Sequence, residues 1–289
     1  MTSSWMIVAG FLFATMAVFV KLGTAHFEAT ELAFYRSLGA LVFIGGFVLV
    51  RRERVWNPHM GTHVLRSTAG TLGIATYFYC IMNLPLATAT TLNYTSPLFL
   101  AVATTVVLGE RFSRWLIVAI LAGFGGVAML LQPTFAAGKE GAALVGLFSG
   151  LLGSWAYLGV RTLGRKGEPE WRILFWFGLF GTAGCAAWQM AFSTFHPVRW
   201  DNAWILLGIG AAGTLAQLAM TRAYRTGETL VVSALSYSTI VFSTLFMAAL
   251  WRERLSPMAW TGMAVIIASG LLALRVERKE QVEETGIDG

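Results

Sequence analysis

The side chains of this chain that could bind a small polar molecule lie mostly inside long apolar stretches. Asn93, Tyr94, Ser96 and Pro97 fall in the middle of the apolar stretch 83–116. On a helix, Asn93, Ser96 and Pro97 share one face. Pro97 also removes a backbone donor, which frees the carbonyl of Asn93 to bind an ammonium group. The alternative is a kink whose free carbonyl is satisfied by a neighbouring Thr or Ser.

A second set of candidates occupies the matching stretch 227–260. This stretch aligns with 83–116 without gaps, so that Tyr237 falls on Tyr94. Ser233 and Tyr237 share a helix face, and two aromatic hydroxyls from opposite halves would suit an amphipathic substrate. Hydrogen bonds between helices are the alternative role. Ile240 stands where the first half has Pro97, so the halves are expected to differ here.

Gln217 is the amide in the middle of another apolar stretch. An amide in hydrocarbon is costly, so we expect Gln217 to face protein or a cavity. Some further candidates serve core packing at least as well as substrate contact: Phe13, Met16, Phe78, Tyr79, Trp155 and Tyr157.

Charged side chains are scarce inside the apolar stretches. No Asp or Glu lies at the middle of any of them, and Lys21 and Arg36 are expected about a turn from the ends, where they reach the interface or pair with Glu28 or Glu31. An exporter of bulky cations by proton exchange would need a carboxylate there, and a sugar-phosphate carrier would need Lys or Arg. The sequence therefore favours a neutral or zwitterionic substrate that moves down its gradient.

Catalytic and metal-binding patterns are not apparent. The four histidines lie in loops or near the ends of apolar stretches, and the two cysteines lie inside such stretches. No Gly-x-Ser-x-Gly elbow and no phosphate-binding loop occurs. We therefore expect no enzyme activity, no metal and no cofactor.

The elements that must position these residues are membrane helices. The chain has 289 residues, of which 56% are apolar and 12% charged, against about 25% charged in soluble domains. The net charge is +6, and the basic residues lie in short loops, so the charge does not indicate nucleic-acid binding. About 20 apolar residues cross a bilayer, which gives ten predicted spans: 5–22, 31–50, 63–82, 87–108, 112–131, 142–161, 171–191, 202–221, 229–251 and 257–274.

Five spans in each half is an odd number, so the second half must enter the membrane from the opposite side. The predicted fold is an all-α polytopic membrane protein of ten transmembrane helices in two inverted five-helix repeats, 1–138 and 139–276, with a polar cytoplasmic tail at 277–289. With both termini in the cytoplasm, fifteen Lys and Arg residues lie on the inner side and six on the outer side, as the positive-inside rule requires.

A family resemblance rests on the residues that close each half. Gly109, Glu110, Arg111 and Ser113 are followed by small residues nine and sixteen positions after the glutamate, and Glu253 is followed by Gly262 and Ser269. This pattern resembles the EamA repeat of the drug/metabolite transporter superfamily, although Arg252 replaces the usual glycine. The whole chain looks like the bacterial aromatic amino acid exporters of that superfamily.

The resemblance implies ten helices around a central cavity, with spans 5 and 10 at the periphery, where a homodimer could form. It also implies alternating access. The predicted function is transport of small neutral or zwitterionic metabolites, aromatic and other amino acids among them, across a bacterial inner membrane. The alternative is an efflux protein for hydrophobic drugs or other metabolites.

Overall fold

The computed structural model describes residues 2–110, 112–134, 137–252 and 254–285, with side chains as far as residue 279, and these residues form helices without any strand. The twelve helices of this part are α1 (Trp5–Gly23), α2 (Ala29–Arg51), α3 (Met60–Asn83), α4 (Leu86–Asn93), α5 (Ser96–Leu108), α6 (Arg114–Leu131), α7 (Glu140–Arg165), α8 (Glu170–Phe192), α9 (Trp200–Thr226), α10 (Thr229–Ser236), α11 (Ser238–Trp251) and α12 (Pro257–Thr285). Helix α12 therefore continues into the segment that the sequence analysis treats as a polar tail.

Nine helical segments in the described part of the chain are long and apolar enough to cross a membrane. The α4–α5 and α10–α11 pairs each count as one segment of 23 residues. Helix α3 has 24 residues and is long enough, but it is more polar and is not among the nine. It carries His63 and Arg66, both of which are buried. The fold is thus an all-helical, multi-pass membrane protein.

The two halves are interrupted at aligned positions. Helices α4 and α5 are separated at Tyr94 and Thr95, and Pro97 lies in the first turn of α5, where its missing N–H is not needed. The Thr95 hydroxyl donates to the Leu92 carbonyl at 2.6 Å. A neighbouring threonine therefore satisfies the carbonyl one residue before that of Asn93. Helices α10 and α11 are separated at Tyr237 without a proline. The backbones of the halves are therefore more alike here than Pro97 and Ile240 suggest.

Glycines set the closest helix crossings. A Cβ at Gly126 of α6 would lie 2.8 Å from the carbonyl oxygen of Gly262 in α12. A Cβ at Gly150 of α7 would lie 3.0 Å from the carbonyl oxygen of Leu92 in α4. The small residues of the repeat motif thus build the α6–α12 crossing. Gly150 likewise allows α7 to approach α4 closely.

Glu110, the motif glutamate, joins the end of the first half to α7. Its carboxylate lies 2.6 Å from Arg161 and 2.6 Å from Arg165. The Arg161 side chain is 11% exposed, whereas that of Arg165 is 57% exposed. The partners Arg111 and Glu253 of the aligned motifs lie outside the described residues.

The different burial of the two arginines predicts different contributions to stability. Arg161→Gln should lower the free energy of unfolding by about 1.5–3 kcal/mol, the range for a hydrogen bond to a charged group. Arg165→Gln should cost at most about 1 kcal/mol, because exposed pairs are screened by water. Thermal unfolding of the purified protein in detergent measures both. Equal losses of stability in the two variants would contradict the larger contribution expected from the buried Arg161.

Candidate functional site

Arg36 lies at the centre of the candidate site. Its guanidinium donates to the Gln217 side-chain oxygen across the α2–α9 contact, at 3.2 Å. The Phe13 ring centre is 6.0 Å from the same guanidinium. Because α2 begins at Ala29, Arg36 is seven residues inside the helix, about 10 Å by the helical rise. The expectation that Arg36 reaches the interface or pairs with Glu28 or Glu31 is therefore wrong.

A glycine in α9 makes room for this arginine. A Cβ at Gly213 would lie 2.9 Å from the Met16 sulfur and 3.2 Å from Cγ of Arg36. Gly213 and Gln217 are four residues apart and share a face of α9. Arg36 therefore rests on the bare backbone at Gly213 and reaches Gln217 one turn later.

A narrow cavity adjoins this contact. Its volume is about 10 Å³, roughly the space of one water molecule. Its lining comes from α2, α8 and α9: Arg36, Ser37, Ala40, Leu174, Phe177, Gly178, Gly213 and Gln217. No metabolite fits in a cavity of this size, so the helices would have to move apart before one could occupy this position.

Arg66 on α3 is a second interior cation. It is 2% exposed, and its guanidinium carbon lies 3.8 Å from the centre of the Phe177 ring, which also lines the cavity. A Cβ at Gly159 of α7 would lie 2.7 Å from the Arg66 Cβ, so this glycine makes room for the stem. Among the described residues, the Nε and Nη1 atoms of Arg66 find no hydrogen-bond partner. Arg66 is one of the fifteen basic residues expected on the inner side, but it is buried in the helix bundle.

Arg36 and Arg66 change the predicted character of the chamber. Both lie beside Phe177: Arg66 stacks on its ring, and Arg36 lines the same cavity as that ring. Within the part of the chain that the structure describes, neither forms an ion pair with a carboxylate. The expectation of an uncharged interior is therefore wrong.

Tyr157 also belongs to an aromatic stack beside the arginines. Its ring is parallel to that of Tyr224, with centres 5.0 Å apart and an interplanar angle of 13°. The Tyr224 hydroxyl lies 3.4 Å from Ser233 Oγ, which itself donates to the Thr229 carbonyl at 2.8 Å. Sequence reasoning missed Tyr224, although its position seven residues after Gln217 places it on the same helix face.

The two aligned tyrosines meet, as their positions suggest. The ring centres of Tyr94 and Tyr237 are 6.2 Å apart. Tyr237 is fully buried, and its hydroxyl has no hydrogen-bond partner. A Cβ at Gly123 of α6 would lie 2.6 Å from the Tyr237 ring. The Tyr237 ring therefore packs toward the α6–α12 pair in this state.

The remaining predicted residues spread over the bundle. Asn93 donates to Ser149 Oγ at 3.1 Å, and Ser96 packs against Gly153. Pro97 is buried and Phe78 is partly buried. Tyr79 is 44% exposed and Trp155 is 39% exposed, and neither lines the cavity beside Arg36. The structure thus gathers Phe13, Met16, Tyr157 and Gln217 around Arg36.

A separate polar cluster lies where α2 begins. Glu31 is fully buried and accepts from the His196 backbone N–H at 2.6 Å, with the His196 ring Nδ1 at 2.8 Å. Hydrogen bonds from Ser193 and Gln189 lower the pKa of the Glu28 carboxyl, which precedes α2. In the described residues, no group of three His, Cys, Asp or Glu side chains could hold a metal ion.

Several curated transporters are similar to this chain over nearly their whole length. The pseudopaline exporter CntI of Pseudomonas aeruginosa (strain UCBPP-PA14) is 28% identical over 94% of this chain and 95% of that protein. An uncharacterized transporter of Helicobacter pylori (strain J99 / ATCC 700824) is 30% identical over 93% of both chains. The riboflavin transporter of Rhizobium johnstonii is 26% identical over 96% of this chain and 92% of that protein.

The fold also matches a solved structure. A protein crystal structure superposes with a TM-score of 0.84 over 96% of this chain and 98% of that chain, at 18% identity. Residues 1–132 and 141–275 both match the EamA-like transporter family, so almost the whole chain is covered. The function is therefore membrane transport, and the chain belongs to the EamA-like transporter family.

Proposed function

We propose that this protein carries small zwitterionic or neutral metabolites, aromatic and other amino acids among them, across a bacterial inner membrane. The observation that carries the proposal is the Arg36–Gln217 hydrogen bond, which crosses between the two halves of the chain beside a cavity. Aromatic rings lie beside it: the Phe13 ring is 6.0 Å from the Arg36 guanidinium, and Phe177 lines the same cavity. A polar centre between aromatic rings suits a molecule with charged groups and an apolar body.

Two inverted five-helix repeats, 1–138 and 139–276, would form the frame of this site. In such a repeat, α1, α2 and α3 correspond to α7, α8 and α9. The packing supports the proposal, because matching pairs make matching contacts: α3 packs on α7 as α9 packs on α1, and α2 packs on α9 as α8 packs on α3. The aligned interruptions at Tyr94 and Tyr237 also support it. The tenth crossing would be α3, whose buried Arg66 accounts for part of its lower hydropathy.

The small volume of the cavity supports alternating access, because a substrate could enter only after the helices move. The Arg36–Gln217 contact would loosen when the bundle opens to one side, and the substrate would take its place. Both termini would lie in the cytoplasm. With Arg36 and Arg66 counted as interior, fourteen basic residues remain on the inner side and five on the outer side, which still supports this orientation.

The interior arginines revise the reasoning about the substrate. A zwitterion remains a good candidate, because a guanidinium can bind its carboxylate. A bulky cation is disfavoured, because two interior cations would repel it. Other metabolites are a second candidate, because two relatives are named for pseudopaline and riboflavin.

Transport by purified protein in liposomes tests the proposal. Liposomes preloaded with unlabelled amino acids should accumulate the labelled amino acid by exchange, and protein-free liposomes should not. A sugar phosphate and a lipophilic cation serve as the other members of the panel. If the cation moves while amino acids neither move nor compete, the proposal fails. A pH gradient alone should not drive uphill transport.

A homodimer through the outer faces of α6 and α12 stays a prediction. Both faces carry exposed apolar side chains, such as Trp115 on α6 and Trp260 on α12. Mass measurement of the protein released from native-like nanodiscs should show two copies. A single copy in nanodiscs loaded at high protein density would contradict it.

A further inference from the structure

Two arginines in the interior have no negative partner among the described residues. Arg36 donates to a neutral amide, and Arg66 stacks on a phenyl ring. A guanidinium stays protonated in proteins, so burial does not neutralise it. A buried charge is costly unless it is paired and hydrogen-bonded. The interior therefore holds two positive charges that a bound anion would stabilise.

Unused hydrogen-bond donors accompany this charge. Arg66 is 2% exposed, and its Nε and Nη1 atoms lack partners. Arg36 donates one hydrogen bond to Gln217, and its length of 3.2 Å is long for a charged donor. Phe177 lines the cavity that Arg36 also lines, and Arg66 lies on the Phe177 ring. A ligand entering this cavity would meet Arg36 directly, with Arg66 on the ring that forms part of the cavity wall.

We infer that Arg36 and Arg66 bind a carboxylate group of the transported metabolite. The inference rests on the proposed function and specifies the chemistry of its substrate. A planar carboxylate matches the two parallel N–H groups of a guanidinium. The carbonyl oxygen of Gln217 already occupies one such position at Arg36, and a carboxylate oxygen has the same planar geometry.

Gln217 would then change its partner. When the substrate carboxylate takes the guanidinium, the Gln217 oxygen is released and can accept from an ammonium group of the same molecule. An α-amino acid places these two groups on one carbon. The rings of Phe13, Tyr157 and Phe177 beside the arginines would contact its side chain.

Ligands that differ in one group test the inference. The wild-type protein is purified in detergent, and its thermal stabilisation is measured with L-tryptophan, L-tryptophan amide, indole-3-propionate and inorganic phosphate. Competition with labelled amino acid exchange in liposomes is measured for the same compounds. Tryptophan and indole-3-propionate should stabilise the protein, whereas the amide should bind at least tenfold more weakly because it lacks the carboxylate.

A variant with an internal carboxylate gives a second readout. Gln217→Glu is nearly isosteric and would pair with Arg36, so the protein should fold with equal or higher thermal stability. The same pairing should weaken tryptophan binding at least tenfold, since the substrate carboxylate must displace it. Gln132→Glu, at an exposed position, is the matched control and should bind tryptophan as the wild type does.

The outcomes separate the inference from the proposed function. If the amide matches tryptophan and Gln217→Glu binds tryptophan normally, the arginines serve the fold and the inference fails. If phosphate stabilises the protein and carboxylates do not, the inference also fails. If the wild type exchanges no amino acid, the proposed function fails. The stabilisation by indole-3-propionate, compared with that by the amide, then still decides whether the site binds carboxylates.

Discussion

Gly126→Val should destabilise the protein strongly, because it separates the two helices that close the repeats. The new Cβ would lie 2.8 Å from the Gly262 carbonyl oxygen and 3.1 Å from the Ile266 backbone nitrogen. These neighbours are backbone atoms, so no side chain can rotate away to relieve the contact. Overpacking costs about 1–3 kcal/mol and sometimes more, and a backbone contact should fall at the upper end of that range.

Gly125→Val is the matched control for this prediction. Gly125 is the adjacent residue of the same helix, and a Cβ there would meet no atom within 4 Å. Both variants change helix propensity in the same way, but only Gly126→Val brings a side chain against the backbone of α12. Thermal unfolding in detergent should show a large loss for Gly126→Val and little change for Gly125→Val. Equal stability would show that α6 and α12 do not cross at these glycines.

Gly213→Val should abolish most transport while the protein still folds. Its Cβ would lie 2.9 Å from the Met16 sulfur and 3.2 Å from Cγ of Arg36, and both are flexible side chains that can move. The displaced guanidinium would lose its contact with Gln217. A hydrogen bond to a charged group is worth about 1.5–3 kcal/mol, and each 1.4 kcal/mol is about tenfold in affinity.

Leu215→Val tests whether this effect is specific to the arginine. Leu215 lies on the same helix and is 54% exposed, so its change should leave exchange near the wild-type rate. The size-exclusion profile and the melting temperature of Gly213→Val should stay close to those of the wild type. Normal exchange by a folded Gly213→Val protein would show that Arg36 does not take part in substrate binding.

Much of the architecture could be predicted from the sequence. Long apolar stretches gave the helices, because a bilayer requires a minimum length of apolar chain. The proline predicted an irregularity near residue 97, and the alignment of the halves placed Tyr94 beside Tyr237. The small residues after Glu110 carried the family resemblance, and the structure places Gly126 at the α6–α12 crossing. These features depend on local sequence or on internal repetition.

The charged interior could not be predicted, because it depends on residues distant in sequence. Arg36 turns inward where Gly213 leaves space on α9, and Arg66 does so beside Gly159 of α7. A single helix shows how deep a residue lies, but the partner helix determines which face is buried. The predicted helix boundary contributed to this error as well. Helix α2 begins two residues before the predicted span, so Arg36 lies deeper in the helix than predicted.

Phe177 and Tyr224 were missed for a related reason. Both are apolar or weakly polar residues in apolar helices, so composition does not distinguish them from lipid-facing side chains. Their roles appear only when Arg66 stacks on Phe177 and Tyr157 stacks on Tyr224. A helix-face argument from Gln217 could have found Tyr224, which lies seven residues later.

Thiol labelling of the cavity tests the account most directly. Ser37 lines the cavity beside Arg36, and Ser37→Cys can be studied after Cys80 and Cys185 are replaced by alanine. A membrane-impermeant maleimide should modify this cysteine from either side of the membrane, in right-side-out and in inverted vesicles. A transported amino acid should slow the reaction from both sides. Modification from one side alone, or at a rate that the substrate does not change, would contradict a central site with alternating access.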